Sequence, residues 1–525
     1  MSGSLARQVP PSVARSVVSP LVLAALVLST ACAAGPRQPA AQATGDPAPA
    51  ETVAPSPGER LPVREVTLDN GMRFLILPRE GAPTVSFVLQ FGIGGVHERE
   101  GQTGIAHLLE HMLFKGTTTV GTEDLDAELA YFDRIDSVHD TLLVAREAAD
   151  TAAIERLSAR IAELEDSART FVDSNAFDRI LTREGAQGLN ATTTSEATIY
   201  FVELPANRAE LWFVLEGDRM RDPVFREFYS ERSVVLEERR MRVDASPGGT
   251  LYERHLAEAF RVHPYGQPVV GHMRDLERIS RRDLEHYFSR YYTPDNAVVA
   301  IVGNVDADRM EHFARRYFGD IEAGEPPPPV TAVEPPQREE RRVEVTWDAQ
   351  PLLRIGWHVP SQLDDDATAV AVLSSLLTGG RSSRLHRRLV IEERVATGVF
   401  SSVGPGSRYP GLFQIDATPR APHRPDTVEA LIYEEIERLA NDGPNERELE
   451  RVRNQVAAGS VRRMTSNLGL AFQLAESTSL EGDWRETFRG SERLRELTAE
   501  DVREAAARYL TAQNRTVAVL RREEP

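Results

Sequence analysis

Residues 290–302 read RYYTPDNAVVAIV, and residues 508–520 read RYLTAQNRTVAVL. The two segments match at a constant offset of 218 residues, which also aligns Ser280 with Thr498. In both copies an aspartate follows that hydroxyl residue three positions later, a pattern typical of a capped helix start. An apolar run that favours a strand comes after the helix. A repeat of this length predicts two related halves, each built of helices and strands.

A chain of 525 residues is too long for one hydrophobic core. A proline-rich stretch at 322–340, with four consecutive prolines at 326–329, predicts a stiff linker between the halves. We therefore predict an α+β protein with two related α/β sandwich-like halves, at residues 61–321 and 341–522.

The first sixty residues are predicted to lie outside the fold. Residues 1–32 have basic residues before an apolar run that is too short to span a membrane, as in a secretory signal. Cys32 is the only cysteine, and it stands where a lipoprotein signal places the acylated residue. Cleavage between small residues around Cys32, without acylation, is the alternative. Residues 33–60 are rich in proline and alanine, which predicts a tether. We expect an exported bacterial protein of the periplasm or cell envelope, held at a membrane only through its lipid.

Residues of about 124–175 have a different character from the rest of the first half. Apolar residues recur there every three or four positions among many charged ones, which predicts a helical hairpin inserted in the first half. The predicted stripe comprises Leu125, Leu129, Phe132, Leu157, Ile161, Leu164, Ala168 and Phe171. Packing or spacing is the expected role of this insertion.

The segment 104–117, GIAHLLEHMLFKGT, carries the most distinctive chemistry. In a helix, His107 and His111 lie on one face, because positions four apart are neighbours. Two imidazoles so placed can share one metal ion such as zinc, and Glu110 beside them can take a proton from a water on that metal. The alternative is a pair of hydrogen-bonded core histidines.

The second half provides an internal control for this motif. Its corresponding helix is predicted at 371–377, where Val372, Ser375 and Leu376 replace the two histidines and the glutamate. The helix can therefore be built without those three residues, which favours a functional role for them.

A second acidic helix is predicted at 230–241. Glu231 and Glu238 are seven residues apart in it, so they share one face of that helix. A charged helix is usually solvated, and this spacing alone assigns no role.

These motifs together resemble the pitrilysin or insulinase-like family of zinc metallopeptidases, in particular its two-domain branch, which includes the mitochondrial processing peptidase. The resemblance covers about residues 61–522. It rests on the histidine-glutamate motif and the Phe-Lys-Gly-Thr after it, on Asn190-Ala191, on the Glu231–Glu238 pair and on the duplicated ending.

The resemblance implies that His107, His111 and Glu238 bind one Zn²⁺ per chain and that Glu110 is the general base. Its implied function is a zinc-dependent endopeptidase that cleaves peptides or unfolded polypeptides in a closed chamber. By the same resemblance, Glu231 supports the site from behind the ligands and Asn190 lies near the substrate backbone.

One departure from the family concerns the second half, which usually carries an Arg and a Tyr seven residues apart that contact substrate. Val390 and Thr397 stand at those two places. We therefore expect a homologous partner subunit that supplies the Arg/Tyr pair. A homodimer is the alternative, if Arg387 or Arg394 has taken over this role.

The charge of the chain limits the classes of partner it can bind. A net charge of -19 argues against nucleic acid as a partner. A catalytically silent peptide-binding or structural subunit of the same fold stays as the alternative function.

Overall fold

The structure is a computed structural model that describes residues 61–523. The predicted signal, Cys32 and the predicted tether lie outside these residues. Among the described residues, no helix combines the length and apolar character that a membrane crossing requires.

Eleven strands of the described residues form two sheets. The strands are β1 (Arg64–Thr67), β2 (Arg73–Pro78), β3 (Thr84–Phe91), β4 (Gln187–Thr193), β5 (Thr198–Pro205), β6 (Ala297–Gly303), β7 (Arg341–Trp347), β8 (Leu352–Val359), β9 (Ala396–Gly404), β10 (Gly411–Pro419) and β11 (Arg515–Arg522).

The α-helices are α1 (Ile105–Met112), α2 (Leu125–Glu147), α3 (Thr151–Ala168), α4 (Ala176–Arg183), α5 (Ala209–Arg221), α6 (Phe228–Arg239), α7 (Pro247–Ala259), α8 (Met273–Arg278), α9 (Arg281–Tyr291), α10 (Ala307–Phe318), α11 (Ala367–Thr378), α12 (Pro425–Asp442), α13 (Glu446–Thr465), α14 (Asn467–Glu481), α15 (Glu486–Glu496) and α16 (Ala499–Tyr509). Wider π-helical turns occur at Arg240–Asp244, directly after α6, and at His386–Glu392.

The two sheets have the same topology. The first has the order β1-β2-β6-β3-β5-β4, and the second has the order β7-β11-β8-β10-β9. In each sheet one pair is parallel, β2 with β6 and β7 with β11, while the other pairs are antiparallel. Without β1 the two orders correspond strand by strand. The predicted α+β class with two related halves is therefore confirmed.

Each half lends a helix to the sheet of the other. Leu470 and Leu474 of α14 pack, with Trp484, against Val88 and Val302 of the first sheet. In the opposite direction, Leu251 of α7 packs on β7 and β11 of the second sheet. Burial of these apolar faces fixes the halves against one another. The sequence did not predict this exchange.

The predicted helical insertion is also confirmed, as the antiparallel pair α2 and α3. Its predicted stripe is largely correct, since Phe132, Ile161 and Leu164 are buried. Leu129 was assigned wrongly: it is 40% exposed, whereas the neighbouring Glu128 is fully buried. Glu128 occupies the buried position instead, because its carboxylate forms an ion pair with the buried Arg226.

Candidate metal centre

Helix α1 begins where two chain segments come into close contact. Gly104, the residue before the helix, has φ 88°, and a side chain there would meet the Val270 carbonyl oxygen at 2.7 Å. Only glycine fits this combination of left-handed backbone and close approach. The carboxylate of Glu98 accepts hydrogen bonds from the backbone N–H groups of Gly104 and Ala106, at 2.8 and 3.0 Å. This carboxylate caps the helix and fixes where the motif starts.

Helix α6 runs antiparallel to α1, because His107 faces Glu238 near the end of α6 and His111 faces Glu231 near its start. At the C-terminal end of α6, Arg239 donates to the backbone oxygen of Gly271 at 2.8 Å. Gly271 in turn lies against the start of α1. The two helices are thus tied together on this side of the site.

Three side chains converge between these helices. The Nε2 atom of His107 lies 3.7 Å from Oε1 of Glu238, and Nε2 of His111 lies 3.4 Å from Oε2 of the same carboxylate. One donor atom from each of the three residues lies within 4.8 Å of the others. His107 and Glu238 are buried or nearly so, with 10% and 14% of their side chains exposed.

The donor set and its spacing fit a zinc ion. Zinc takes imidazole nitrogen and carboxylate oxygen at about 2.0–2.2 Å in a tetrahedron, so neighbouring ligand atoms should lie about 3.3–3.5 Å apart. The separations around Glu238 are close to that edge length. In addition, Nδ1 of His107 is buried and has no hydrogen-bond partner within residues 61–523, so no hydrogen bond within that part of the chain explains why a histidine stands here.

The electrostatics differ between the two histidines. Burial, together with the nearby His111, lowers the pKa of His107 to about 4, so its imidazole is neutral. Burial also opposes the charged form of His111, but hydrogen bonds to Glu231 and Glu238 outweigh it and raise the pKa of His111 to about 9. Burial opposes ionisation of Glu238 as well, yet the hydrogen bond from His111 lowers its pKa to about 2. The two carboxylates on either side of His111, Glu231 at Nδ1 and Glu238 at Nε2, therefore favour its positively charged form, whereas His107 is held neutral.

Glu110 lies on the same helix and reaches toward the edge of the first sheet. The Thr193 hydroxyl, at the end of β4, donates to Oε2 of Glu110 at 2.5 Å. Burial raises the pKa of Glu110. A carboxylate with a raised pKa, held by one oxygen, is suited to accept and return a proton.

Glu231 contacts the site through His111. Its Oε1 lies 3.0 Å from Nδ1 of His111, and its Oε2 lies 2.7 Å from Nζ of Lys115. A carboxylate on the far nitrogen of a histidine fixes its tautomer and leaves Nε2 free to coordinate. Glu238 likewise has a charged partner, because a guanidinium nitrogen of Arg242 lies 2.5 Å from its Oε1.

The other predicted residues lie apart from this cluster. Asn190 is exposed on β4, where its Oδ1 accepts from the Ala191 N–H at 2.9 Å. Thr397 is exposed on β9, Val390 packs against the second core, and Arg387 pairs with Glu392 at 3.3 Å. Arg394 is exposed with φ 56°.

Several residues that support the site were not singled out from the sequence as functional. No sequence pattern marked Glu98, Thr193 or Arg242, because only the folded structure brings each of them to the site. Lys115 was part of the quoted motif, but its pairing with Glu231 depends on α6, more than a hundred residues later.

Comparisons with known proteins agree with this architecture. Residues 73–132, which include the histidine motif, match the sequence model described as "Insulinase (Peptidase family M16)". Residues 278–456 match the one described as "Peptidase M16 inactive domain". The zinc protease PqqE of Helicobacter pylori is 30% identical over 351 residues, which cover 65% of this chain and 67% of that protein. An uncharacterized zinc protease of Mycobacterium tuberculosis is 27% identical over 88% of this chain and 94% of its own length.

Solved structures share the fold. The crystal structure of a protease from Helicobacter pylori superposes with a TM-score of 0.74 at 24% identity, covering 88% of this chain and all of that one. The first half of the periplasmic protease PqqL from Escherichia coli gives a TM-score of 0.65 at 17% identity, over 87% of this chain and 91% of that one. The relatives and the fold support a peptidase-like function. The chain belongs to the insulinase family of peptidases, family M16.

Proposed function

We propose that the chain is a zinc-dependent endopeptidase, with His107, His111 and Glu238 as the metal ligands. The observation that carries this proposal is the convergence of two Nε2 atoms on one carboxylate, 3.7 and 3.4 Å away. The relatives named zinc proteases support the choice of metal. In this assignment residues 61–321 form the catalytic domain, and residues 341–522 form a metal-free homologous domain beyond the linker at 322–340.

Each residue of the site has a definite task in this reaction. When bound, zinc supplies Lewis acidity that lowers the pKa of water from about 15.7 toward roughly 7. Glu110 accepts the proton of the attacking water on its carboxylate and later gives it to the leaving amine. The Thr193 hydroxyl holds Oε2 of Glu110, which leaves Oε1 for proton transfer. Glu231 orients His111 from its far nitrogen.

We propose that the substrate binds as an extended chain along β4. This strand ends the order of the first sheet and pairs only with β5 among the described residues. Its last residue, Thr193, contacts Glu110, so a peptide added to its open edge would pass the general base. Main-chain pairing of this kind gives weak sequence preference, which suits peptides and unfolded polypeptides. Asn190 lies on the same strand, near the proposed peptide backbone.

The proposed chamber includes a second subunit. Val390 and Thr397 offer neither a guanidinium nor a phenol where the family carries its Arg/Tyr pair. We propose that a homologous partner supplies that pair, in a heterodimer. In a homodimer, the exposed Arg387 or Arg394 would have to serve instead.

We also propose that the protein is exported, with Cys32 acylated at a membrane. Support comes from the apolar run and single cysteine of the N-terminal sequence. The match to a structure described as a periplasmic protease agrees with this location.

Zinc content and peptide cleavage of the purified chain test the proposal together. We expect about one equivalent of zinc and cleavage that a chelator abolishes. Glu238→Gln should lose both, because it removes the anionic ligand. A chain that cleaves peptides without metal, or a Glu238→Gln variant with full zinc and activity, would contradict the assignment. Full activity of the chain alone would exclude the heterodimer.

One observation favours a second candidate, a catalytically silent peptide-binding subunit. The substrate-contacting Arg/Tyr pair is missing from this chain. That candidate predicts tight peptide binding with no cleavage and no effect of a chelator.

A further inference from the structure

The helical insertion, residues 124–175, has buried polar contacts with α6, one of the two helices of the metal centre, and with segments next to it. Glu128 and His139 are fully buried, and Asp136 and Glu165 are almost so. Burial of ionisable groups is costly unless each one is paired. Their partners lie on α6, at the start of α9 or in the segments next to these helices, so the insertion is part of the structure around the candidate site.

Glu165 supplies the N-terminal cap of α6. The residue in the capping position, Glu227, has φ 57° and makes no side-chain cap. Glu165 takes its place from α3: Oε1 accepts from the N–H groups of Tyr229 and Ser230, at 3.0 and 3.3 Å, and Oε2 accepts from the Ser230 hydroxyl at 2.7 Å. A carboxylate at this position satisfies N–H groups that the helix itself leaves unpaired. Glu231 follows directly after this capped turn.

A second contact joins the insertion to the loop after α1. Arg226, just before α6, donates from Nε to Glu128 at 2.9 Å. Its other nitrogens donate to the backbone oxygens of Lys115 and Thr117, at 2.7 and 2.8 Å. The chain that leaves α1 and the chain that enters α6 are therefore held by one guanidinium, and the insertion holds that guanidinium.

A third connection runs from the insertion to His111 through a series of side-chain contacts. Arg169, directly after α3, lies 2.9 Å from Oε1 of Glu227, whose Oε2 lies 3.4 Å from Nζ of Lys115. Lys115 pairs with Glu231, which contacts Nδ1 of His111. A continuous series of ion pairs thus runs from the insertion to one of the proposed ligands.

The second half has the same topology without such an insertion. Its α11 ends at Thr378 and the next strand begins at Ala396, whereas α1 ends at Met112 and β4 begins only at Gln187. The sheet and helices of this fold therefore form without the added hairpin. The fold itself therefore does not require the hairpin or the buried contacts that the hairpin makes.

We propose that the insertion positions the metal ligands on α6 against those on α1, with Glu165 as its principal positioning residue. This inference rests on the proposed zinc site. It assigns to the insertion a role in metal affinity, beyond packing, that the sequence did not indicate.

The test compares Glu165→Ala with Glu163→Ala in the full chain. Both residues lie on α3, but the side chain of Glu163 is 67% exposed, and within residues 61–523 its ion pair is with Arg160 on the same helix. The zinc dissociation constant is measured by competition with a chromophoric chelator, and the visible spectrum of bound Co²⁺ reports the geometry of the ligands. We expect Glu165→Ala to bind zinc up to about 10-fold more weakly, near the lower end of the range for direct partners of metal ligands, because Glu165 acts on the ligands only through α6. Glu163→Ala should bind zinc like the parent.

Glu165→Gln separates positioning from general stability. Its amide oxygen can still accept from the two N–H groups, so it should restore most of the affinity that alanine loses. Equal zinc affinity and an equal Co²⁺ spectrum for Glu165→Ala and the parent would overturn the proposal, as would an equal loss in Glu163→Ala. A parent chain that binds no zinc would instead remove the proposed function.

Arg169→Ala gives a second test in case Glu165→Ala does not fold. The Arg169 side chain is 42% exposed, so its removal should leave the fold intact. It breaks the series of ion pairs to Glu231, and we expect a smaller loss of zinc affinity in the same direction. Unchanged affinity in this variant would count against the proposal.

Discussion

The helix α1 of the first half and its counterpart α11 of the second solve the same packing problem with different residues. In α1, His107 and His111 face the carboxylates of Glu238 and Glu231 on α6, and Glu110 accepts from the Thr193 hydroxyl of β4. In α11, Val372 and Leu376 occupy the corresponding places, 2% and 0% exposed in an apolar core. One scaffold therefore accepts either a polar pocket or an apolar one.

The difference shows what a polar pocket demands of its surroundings. Apolar contacts need only complementary shape, whereas buried imidazoles and carboxylates need paired partners to offset desolvation. In the first half these partners form successive layers, with Lys115 behind Glu231 and Glu227 behind Lys115. The second half has closed the same space with side chains that need no such support.

The largest expected effect comes from removing the proposed base. Glu110→Gln should lower kcat by about 10²- to 10⁴-fold, because the amide cannot accept the proton of the attacking water. Zinc content should stay at the parent level, since Glu110 is not among the proposed ligands. Steady-state kinetics on a fluorogenic peptide, with metal analysis of the same sample, measures both.

The control for this variant lies at the matching position of the other half. Ser375→Ala removes a hydroxyl that, in the described part of the chain, donates to the Ala371 carbonyl oxygen of its own helix. Its kcat should be unchanged. A Glu110→Gln variant that still cleaves peptides at the parent rate would end the assignment of the base.

Stability provides the next comparison between the halves. Leu376→Ala should lower the free energy of unfolding by about 2–5 kcal/mol, because it leaves a cavity in a fully buried core. His107→Leu in the zinc-free chain should change it by less than about 1 kcal/mol or increase it, since the imidazole carries a buried Nδ1 with no partner among the described residues. Urea unfolding of both variants without metal measures the contrast. If His107→Leu costs as much as Leu376→Ala, the histidine is a structural residue.

A smaller effect on zinc affinity is expected at Glu231, which contacts the proposed ligand His111. Glu231→Gln should weaken zinc binding by about 10-fold, near the lower end for a partner of a metal-bound histidine, because the amide oxygen can still accept from Nδ1 of His111. It also loses the ion pair with Lys115. Chelator competition measures the affinity, and Glu237→Gln, whose exposed side chain points to Arg240, is the matched control. Equal zinc affinities for the two variants would show that Glu231 does not support zinc binding.

The sequence predicted those parts of the site that are local along the chain. His107 and His111 are one helical turn apart, so their shared face follows from helix geometry alone. The repeat at 290–302 and 508–520 predicted the two halves, since β6 and β11 carry it in matching positions. Glu238 was reached only through the family resemblance, because the insertion separates it widely from His111.

The remainder depends on contacts that local patterns do not encode. Glu165 and Glu128 lie in helices rich in charge, where any single carboxylate looks solvated. Their burial follows from the partners that the fold brings to them, Ser230 and Arg226. The exchange of α7 and α14 between the halves was missed for a related reason: an apolar helix face has the same pattern whichever sheet it covers.

The smallest effect on activity is expected at the contact between the second half and the turn after β4 in the first half. Glu196, in the turn between β4 and β5, accepts from the backbone N–H groups of Ser407 and Arg408, both at 2.9 Å, and from the Tyr265 hydroxyl. Glu196→Ala should lower the free energy of unfolding by about 1–2 kcal/mol, because water can reach part of the freed backbone while the buried phenol loses its charged partner. The same turn follows Thr193, so a loss of kcat beyond the loss of stability would show that the second half helps to hold Glu110. Glu203→Ala, at the other end of β5, removes a bond to Ser86 within the first sheet and should leave kcat unchanged. If both variants keep the parent kcat, the second half contributes to this strand through stability alone.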